Sequence, residues 1–318
     1  MSLATVLIVR NAEETLERAL GSVIGYCDDI LALMAGPSID NTELILQDFD
    51  VLYEKVEWKD NFGLARNQLF DFARKHTDWV LLMDADDVLT NGRELRGAVE
   101  QLTGVGAYLH VRHGSMEYWQ KRLFKLDVPG AWVGRVHEVY QASGKWGKVH
   151  QCEIVHQRGD LQSIRAKDRN LNILKKWMEE APEEFDAHKY YNYGNELLWH
   201  RMWHDAARIY GLALGLPQWR DERYFTHIRR GVCLVQIQAW SQAWNEFVSA
   251  VRVQPEWRDS FLEMSRWFYH RGLHELCLHM DAYAQTKPKA DTILPVNEAN
   301  YTTIQDDFVA KARAALAA

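Results

Sequence analysis

The hydrophobic pattern of this 318-residue chain changes its period near residue 160. Before that point, short apolar runs such as 3–9 and 79–83 alternate with amphipathic stretches such as 63–75. This alternation is typical of an α/β domain, in which helices cover a parallel sheet. After that point nearly every stretch has the period of a helix. We therefore predict an α/β domain over residues 1–160 and an all-α domain over residues 161–318, each long enough to bury its own core.

The helical half contains an internal repeat, in which three positions follow a glycine at identical offsets of 12, 16 and 19 residues. Small residues let paired helices approach closely, and an aromatic ring fills the groove between the two helices. The spacing therefore favours tetratricopeptide-like repeats over a helical bundle with coincidental spacing. A third unit, 258–288, keeps a closing proline but loses most of the small residues, as a terminal cap would, and another helix is predicted over 301–317. The recurring residues are Gly194, Ala206, Tyr210 and Ala213 in one copy and Gly231, Ala243, Phe247 and Ala250 in the other.

Composition excludes several classes of protein. The chain is 47% apolar and 25% charged, which is typical of a globular protein, and it lacks the run of about 18 apolar residues that spans a membrane. Its formal charge of −7 argues against a broad nucleic-acid surface, so a nucleic-acid partner is not expected despite a modest basic stretch over residues 145–169. The four cysteines form no CxxC pair and the N-terminus has no basic n-region, so we expect a cytoplasmic location.

Tryptophan is unusually abundant, with 13 residues in the chain. So much aromatic surface requires either a large core or a flat-ligand site. Several tryptophans in the helical half fall where a side chain must fill the groove between repeat helices, so we expect most of them in the core. A tryptophan exposed on a concave face would mark an acceptor site. The eight tryptophans of the helical half are Trp177, Trp199, Trp203, Trp219, Trp240, Trp244, Trp257 and Trp267.

A dense acidic segment, Asp84-Ala85-Asp86-Asp87, directly follows the most apolar predicted strand. Ligands of open α/β sheets bind beyond the carboxyl ends of the strands. Carboxylates crowded there repel one another unless a cation neutralises them, and hard oxygen ligands favour Mg²⁺ or Mn²⁺. The alternative is an acidic helix cap, in which Asp87 or Asn91 precedes Glu94. We favour the metal site, because the segment ends a buried strand.

Six segments in the first half occur in an order that resembles family-2 glycosyltransferases with the GT-A fold. They are VLIVRNAEE at 6–14, WKDNFGLARN at 58–67, DWVLLMDADD at 78–87, RLF at 122–124, GRVHE at 134–138 and IVH at 154–156. The resemblance covers about residues 3–160 and implies a Rossmann-like nucleotide-sugar domain. A transferase domain followed by tetratricopeptide-like repeats is also a familiar arrangement in that family, some of whose members modify peptides or proteins.

The resemblance implies a metal site. Asp84 and Asp86 would hold the ribose of the nucleotide sugar and the metal, with Asp86 as the more direct ligand of Mn²⁺ or Mg²⁺. His156 is similar to the third metal ligand that such enzymes place on a later strand. The alternative for His156 is an ordinary histidine on a half-buried strand.

The resemblance also implies a nucleotide site. Arg10 and Asn11 follow the first strand, where the family binds the nucleobase and ribose. Arg66 is similar to the basic residue near the nucleotide and could also pair with Asp60; a solvated helix residue is the alternative.

One segment departs from the family pattern. Met34 or Ala35 stands where the family usually carries an aspartate that contacts the nucleotide, although Asp40 could match a second acidic position. An apolar side chain cannot accept the usual hydrogen bond. The choice of nucleotide, with a UDP-sugar favoured, is therefore left open. A degenerate transferase that serves as a repeat scaffold is the non-enzyme alternative.

Transfer with inversion needs a base that takes the proton of the acceptor. Glu138 is the first candidate for this base and Asp87 the second, while His137 would position the acceptor or the diphosphate. The alternative for Glu138 is a charge at a strand edge. We expect the helical repeats to bind a protein or peptide acceptor, since repeat surfaces bind extended peptides; a saccharide or nucleic-acid acceptor is the alternative.

Overall fold

The computed structural model describes residues 1–114, 116–157, 168–297 and 307–317. The chain divides into two compact units, Met1–Leu174 and Lys175–Ala318. The predicted domain boundary between residues 160 and 161 lies outside the described residues, as does the beginning of the helix predicted over 301–317. Within the described ranges, no helix combines the length and the hydropathy that a membrane-spanning segment needs.

The first unit is built on a mixed sheet. Its strands are β1 (Leu3–Val9), β2 (Asp29–Ala35), β3 (Leu52–Val56), β4 (Trp79–Asp84), β5 (Asp87–Thr90), β6 (Gly106–His113), β7 (Met116–Lys125) and β10 (Trp146–His156), with β8 (Gly130–Val133) and β9 (Val139–Ala142) forming a separate hairpin. The sheet runs in the order β3-β2-β1-β4-β7-β6-β10-β5. The first four strands in this order are parallel, while β7 is antiparallel to both of its neighbours.

Helices bury both faces of this sheet. They are α1 (Leu16–Gly21), α2 (Thr42–Asp48), α3 (Phe62–Ala73) and α4 (Leu95–Glu100), preceded by a 3₁₀ turn (Gly92–Glu94). Alternate residues of β4 belong to two separate core clusters, because successive strand side chains point to opposite faces. One cluster contains residues of α1, α2 and α4, and the other contains residues of α3. This arrangement confirms the predicted α/β class.

The β8–β9 hairpin is held against helix α3 by one amide side chain. Asn67 donates from Nδ2 to the carbonyl of Trp132 at 3.0 Å and accepts from the Trp132 N–H at 2.8 Å. The Trp132 ring packs against Phe70 of α3 and Phe124 of β7, with ring centroids 5.8 and 5.4 Å apart. The loop that joins the two hairpin strands is therefore fixed near the start of α3.

The second unit is mainly helical. Its helices are α6 (Ala187–Trp199), α7 (Trp203–Leu214), α8 (Arg220–Gln236), α9 (Trp240–Val253), α10 (Arg258–His270), α11 (His274–Gln285) and α12 (Asp307–Ala317), with a 3₁₀ turn (Pro182–Glu184) and a short strand, β11 (Val296–Asn297). Helix α5 (Arg169–Glu180) contains the point at which the chain passes from one unit to the next.

The predicted repeat corresponds to two helix pairs, α6–α7 and α8–α9. A methyl group added to Gly194 would lie 2.4 Å from the ring of Tyr210, and one added to Gly231 would lie 2.4 Å from the ring of Phe247. Both rings are fully buried. Each glycine therefore makes the space that the aromatic ring of the next helix occupies, which confirms a tetratricopeptide-like helical domain.

The third pair, α10–α11, keeps more of the repeat than the sequence indicated. Ser265, Cys277 and Ala284 stand at the equivalent offsets and are buried, so the expectation that most small residues are lost is wrong. Ser265 donates from its hydroxyl to the carbonyl of Cys277 at 2.8 Å, which ties the two helices together. The aromatic residue of the other two pairs is replaced here by Asp281, which is buried.

The tryptophans of the helical half are less buried than expected. Trp177 and Trp257 belong to the core, whereas Trp199 and Trp219 are 72% and 43% exposed. The remaining four are partly buried, namely Trp203, Trp240, Trp244 and Trp267. Trp244 of α9 contacts Trp267 and Phe268 of α10, so these rings pack between neighbouring helix pairs.

We expect Gly231→Ala to destabilise the protein by about 1–3 kcal/mol, because the added methyl group overpacks the buried ring of Phe247. Denaturant unfolding of the full chain, followed by helical circular dichroism, measures this change. Adding Phe247→Leu should make room for the methyl group, so the double variant should lose less stability than the sum of the two single changes. Strict additivity would contradict the packing argument.

Candidate active site

The acidic segment lies where the sequence predicts, at the carboxyl end of a central parallel strand. Asp84 is the last residue of β4 and pairs with Ile8 of β1, while Asp87 begins β5. His156 ends β10 and pairs with Asp87 across the antiparallel β5–β10 ladder. The N–H of Gln157 then donates to the carbonyl of Asp86 at 2.8 Å. This backbone bond holds the end of β10 beside the acidic turn.

The side chains at this edge fit a divalent cation. Nε2 of His156 lies 3.5 Å from Oδ2 of Asp86, and both side chains are largely buried. Ligand atoms about 2.1 Å from one ion, at tetrahedral or octahedral angles, are about 3.0–3.5 Å apart. Ligand atoms of Asp84, Asp87 and His156 also lie within 4.8 Å of one another. Carboxylate oxygens with one imidazole suit Mn²⁺ or Mg²⁺.

Arg122 lies beneath these carboxylates and is a residue whose part in the site the sequence did not reveal. Its guanidinium group, on β7, is 3.1 Å from Oδ2 of Asp84 and 3.0 Å from Oδ2 of Asp87, and it donates to the Leu82 carbonyl at 3.2 Å. The side chain is 2% exposed. Burial alone lowers the pKa of an arginine, but the two aspartates outweigh it and raise the pKa of Arg122 above its usual value. The available signal was its place in the RLF segment at 122–124, which is part of the family resemblance.

Asp84 stays ionised for a related reason. Burial alone raises the pKa of its carboxyl group, but Arg122 and Arg66 outweigh burial and hold the pKa of Asp84 well below its usual range. Its side chain is still 40% exposed. A charged oxygen therefore remains available at the surface of the site.

The first turn of α3 and the loop over residues 134–138 are distant in the chain but contact each other beside the acidic turn. The N–H groups of Phe62 and Gly63, in the first turn of α3, donate to the carbonyls of Arg135 and Gly134 at 2.7 and 3.2 Å. These donors have no partner within their own helix, so the loop satisfies them. His137 has a left-handed backbone with φ of 51° and is exposed.

The docked loop places Glu138 against Arg66. The Glu138 carboxylate forms an ion pair with Nε of Arg66, and Nη2 of Arg66 lies 3.4 Å from Oδ1 of Asp84. The guanidinium group also lies over the ring of Trp132, 4.8 Å from its centroid. Arg66 therefore links the candidate base to the candidate metal site, while Asp60 accepts a hydrogen bond from Nε1 of Trp58 at 2.9 Å.

A cleft of about 500 Å³ lies at the ends of β1, β2 and β3. Arg10, Met34, Gly36 and Trp58 are among its lining residues. Gly36 has φ of +86°, a left-handed conformation that favours glycine, and it lies beside the Arg10 side chain. Met34 is 2% exposed and belongs to the core beneath the cleft, which is why an apolar residue is stable there.

Asn11 and Asp40 join the loops that follow β1 and β2. Asn11 accepts from the Ile39 N–H at 2.8 Å, and its own N–H donates to the Ser38 hydroxyl at 3.0 Å. Asp40 accepts from the N–H and the hydroxyl of Thr42 at 3.1 and 2.6 Å. Both side chains thus shape the rim of the cleft, and their contact with a nucleotide stays a prediction.

We expect Gly63→Ala to destabilise the first unit by about 1–3 kcal/mol, because the new Cβ would lie 2.4 Å from the carbonyl oxygen of Gly134. The new Cβ would clash with a backbone atom, so no flexible side chain can move to relieve the clash. Urea unfolding followed by tryptophan fluorescence measures the effect. Gly97→Ala in α4 is the control, since nothing lies within 4 Å of its added Cβ. Equal losses in the two variants would contradict the docking argument.

The chain is similar to several known proteins. The family model described as glycosyl transferase family 2 matches residues 5–152. The SPbeta prophage-derived glycosyltransferase SunS of Bacillus subtilis (strain 168) is 24% identical over 254 residues, which cover 73% of this chain and 58% of that protein. The chain thus spans little more than half the length of that relative.

Two further proteins extend over most of the chain. A TPR repeat-containing protein of Synechococcus elongatus is 36% identical over 309 residues, which cover 88% of this chain and 73% of that protein. The crystal structure of S. aureus TarS (residues 1–349) aligns with a TM-score of 0.40 and 11% identity, over 90% of this chain and 92% of that chain. The family match shows a family-2 glycosyltransferase domain over residues 5–152, and the 36% identical relative, together with the observed helix pairs, shows that the chain belongs with tetratricopeptide repeat-containing proteins in its C-terminal part.

Proposed function

We propose that the protein is a metal-dependent, inverting glycosyltransferase that moves a sugar from a nucleotide sugar, with UDP favoured, to a protein or peptide acceptor. One observation carries this proposal. His156 and Asp86 present ligand atoms 3.5 Å apart at the carboxyl end of a parallel strand in a family-2 domain. A site of this kind suits a cation that binds the diphosphate of a sugar donor.

The cleft at the ends of β1–β3 is the proposed site of the nucleoside. Its apolar lining and the ring of Trp58 suit the faces of a base, and Arg10 suits the polar edge or the phosphates. Asp84, which pairs with Ile8 of β1, and Arg66, which contacts Asp84, are the proposed contacts of the donor ribose and phosphates. A bound Mn²⁺ or Mg²⁺ would stabilise the negative charge of the leaving diphosphate.

Glu138 is the proposed base. Its carboxylate stands on the docked loop, beside the arginine that also contacts Asp84. A carboxylate at this place can accept the proton of the acceptor hydroxyl as the sugar is transferred. Arg66 would hold the carboxylate in one orientation and face the donor phosphates with its remaining N–H groups. His137, which follows a tight turn on the same loop, is proposed to contact the acceptor.

The helical domain is the proposed acceptor-binding part. Stacked helix pairs form extended surfaces that bind extended peptides, which supports a peptide over a free saccharide. Trp199 and Trp219 are exposed aromatic residues on these helix pairs and are the proposed contacts. Intact-mass analysis of proteins that are co-expressed with this chain tests this assignment, because a peptide acceptor would gain the mass of one sugar.

The enzyme proposal is tested by nucleotide release. The full chain is incubated with Mn²⁺ and a panel of UDP-, GDP- and ADP-sugars, and the free nucleoside diphosphate is assayed. Release above the metal-free background, strongest with a UDP-sugar, is the expected result. Calorimetry with the same nucleotides provides the decisive negative result: no binding of any of them in the presence of Mn²⁺ would overturn the proposal and favour the scaffold alternative.

A further inference from the structure

The carboxylate of Asp87 is enclosed by protein groups. The side chain has no exposed surface. Oδ2 accepts from the N–H of Asp84 at 2.8 Å and lies 3.0 Å from Nη2 of Arg122, while Oδ1 lies 2.8 Å from Nδ1 of His156. Both oxygens are therefore engaged, and an acceptor hydroxyl has no path to either of them.

These contacts determine which nitrogen of His156 carries the proton. An ionised carboxylate accepts hydrogen bonds but cannot donate them, so Nδ1 must carry the hydrogen that it shares with Asp87. In the neutral ring, the lone pair is then on Nε2. This atom faces Oδ2 of Asp86 at 3.5 Å. A histidine that binds a metal usually donates its other N–H to a carboxylate in this way.

Arg122 in turn fixes the carboxylate of Asp87. The guanidinium group is anchored by the carbonyl of Leu82 and by Asp84, and its strand β7 is paired directly with β4. A chain of contacts thus runs from the centre of the sheet through Arg122 and Asp87 to the ring of His156. Without the charge of Arg122, Asp87 would be a buried carboxylate with too few partners.

We propose that Asp87 is a positioning residue of the metal site: held by Arg122, it fixes the orientation and tautomer of the His156 ring so that Nε2 faces Asp86. This inference rests on the proposed metal-dependent function. It gives Asp87 a role different from that of a base and adds Arg122 to the residues that the site requires. The chemical class of the ligand is a divalent cation with mixed oxygen and nitrogen coordination.

The nearly isosteric variant Asp87→Asn provides the main test. Arg122 would orient the amide oxygen towards itself, which leaves the NH₂ group facing Nδ1 of His156. The ring would then accept at Nδ1 and carry its proton on Nε2, the proposed ligand atom. We expect Mn²⁺ affinity, measured by electron paramagnetic resonance of free Mn²⁺ without a sugar donor, to fall by about 10- to 100-fold. Asp127→Asn, at an exposed carboxylate beyond β7, is the matched control and should bind Mn²⁺ as the wild type does.

A second readout examines the ring without metal. Nitrogen-15 spectra of histidine-labelled protein, recorded where the ring is neutral, should show His156 protonated at Nδ1 in the wild type and at Nε2 in Asp87→Asn. The His156→Gln variant assigns the resonance. If Asp87→Asn does not fold, Arg122→Lys replaces it; this change keeps the positive charge but loses the forked donor, and it should lower Mn²⁺ affinity in the same direction.

The outcomes separate this inference from the proposed function. Wild-type protein that fails to bind Mn²⁺ while His156 is protonated at Nδ1 would overturn the metal dependence and leave the positioning by Asp87 supported. Unchanged Mn²⁺ affinity in the folded variant, or a His156 ring protonated at Nε2 in the wild type, would overturn the positioning role.

Discussion

Replacing Asp86 with alanine should reduce the rate of nucleotide release from a sugar donor by about a thousandfold or more. The change removes the oxygen that lies 3.5 Å from Nε2 of His156, so the proposed ion would lose one of its closest protein ligands. A metal contributes several kcal/mol to the stabilisation of a leaving diphosphate, and about 4 kcal/mol corresponds to a thousandfold change in rate. Steady-state release of the nucleotide at saturating Mn²⁺ measures the loss.

A matched exposed carboxylate controls for the change in net charge. Asp71, on the outer face of α3, has an ion pair with Arg74 and a side chain that is 72% exposed. Asp71→Ala should leave nucleotide release within about twofold of the wild type, because exposed ion pairs contribute little. Activity in Asp86→Ala comparable to that of Asp71→Ala would be incompatible with a metal ligand at position 86.

Glu138→Gln should lower kcat by about 10²- to 10⁴-fold while the KM for the sugar donor changes little. The amide has the shape of the carboxylate and can still accept a hydrogen bond from Arg66, but it cannot take a proton from the acceptor. Nucleotide release with water as the acceptor measures the effect even before the biological acceptor is known. The same base would have to deprotonate a water molecule.

The alternative role of Glu138 predicts a different pattern. If the carboxylate only holds Arg66 in place, Glu138→Gln should raise the donor KM and leave kcat nearly unchanged, since a neutral amide holds the guanidinium group less strongly than the ion pair does. Asp71→Asn, at the 72% exposed carboxylate on α3, should change neither constant. A KM effect without a kcat effect would remove Glu138 from the reacting atoms.

The sequence predicts the parts of the fold that depend on local pattern. The apolar run 3–9 has the same bounds as β1, and the stretch 63–75 differs from α3 by one residue at its start and two at its end. The acidic segment also lies where an apolar strand followed by carboxylates indicates. Each of these features is encoded within about a dozen neighbouring residues, so no knowledge of distant pairing is needed.

Features that depend on distant pairing were not predictable. The place of Arg122 under the acidic turn follows from the antiparallel register of β7 with β4, which no periodicity in the sequence reveals. The contact of the Glu138 loop with α3 joins residues more than 70 positions apart through backbone atoms, which leave no mark in residue type except at Gly63. The third repeat was underestimated because serine and cysteine replace the expected glycine and alanine.

The docking of the 134–138 loop onto the first turn of α3 has a consequence for protein engineering. This loop cannot be exchanged alone with the loop of a relative without endangering its contact with α3. The incoming segment would bring its carbonyl groups to a helix start that was shaped for a different partner, and the two N–H donors of Phe62 and Gly63 would lose their acceptors. A chimera should therefore exchange residues 58–67 and 130–142 together as a single module.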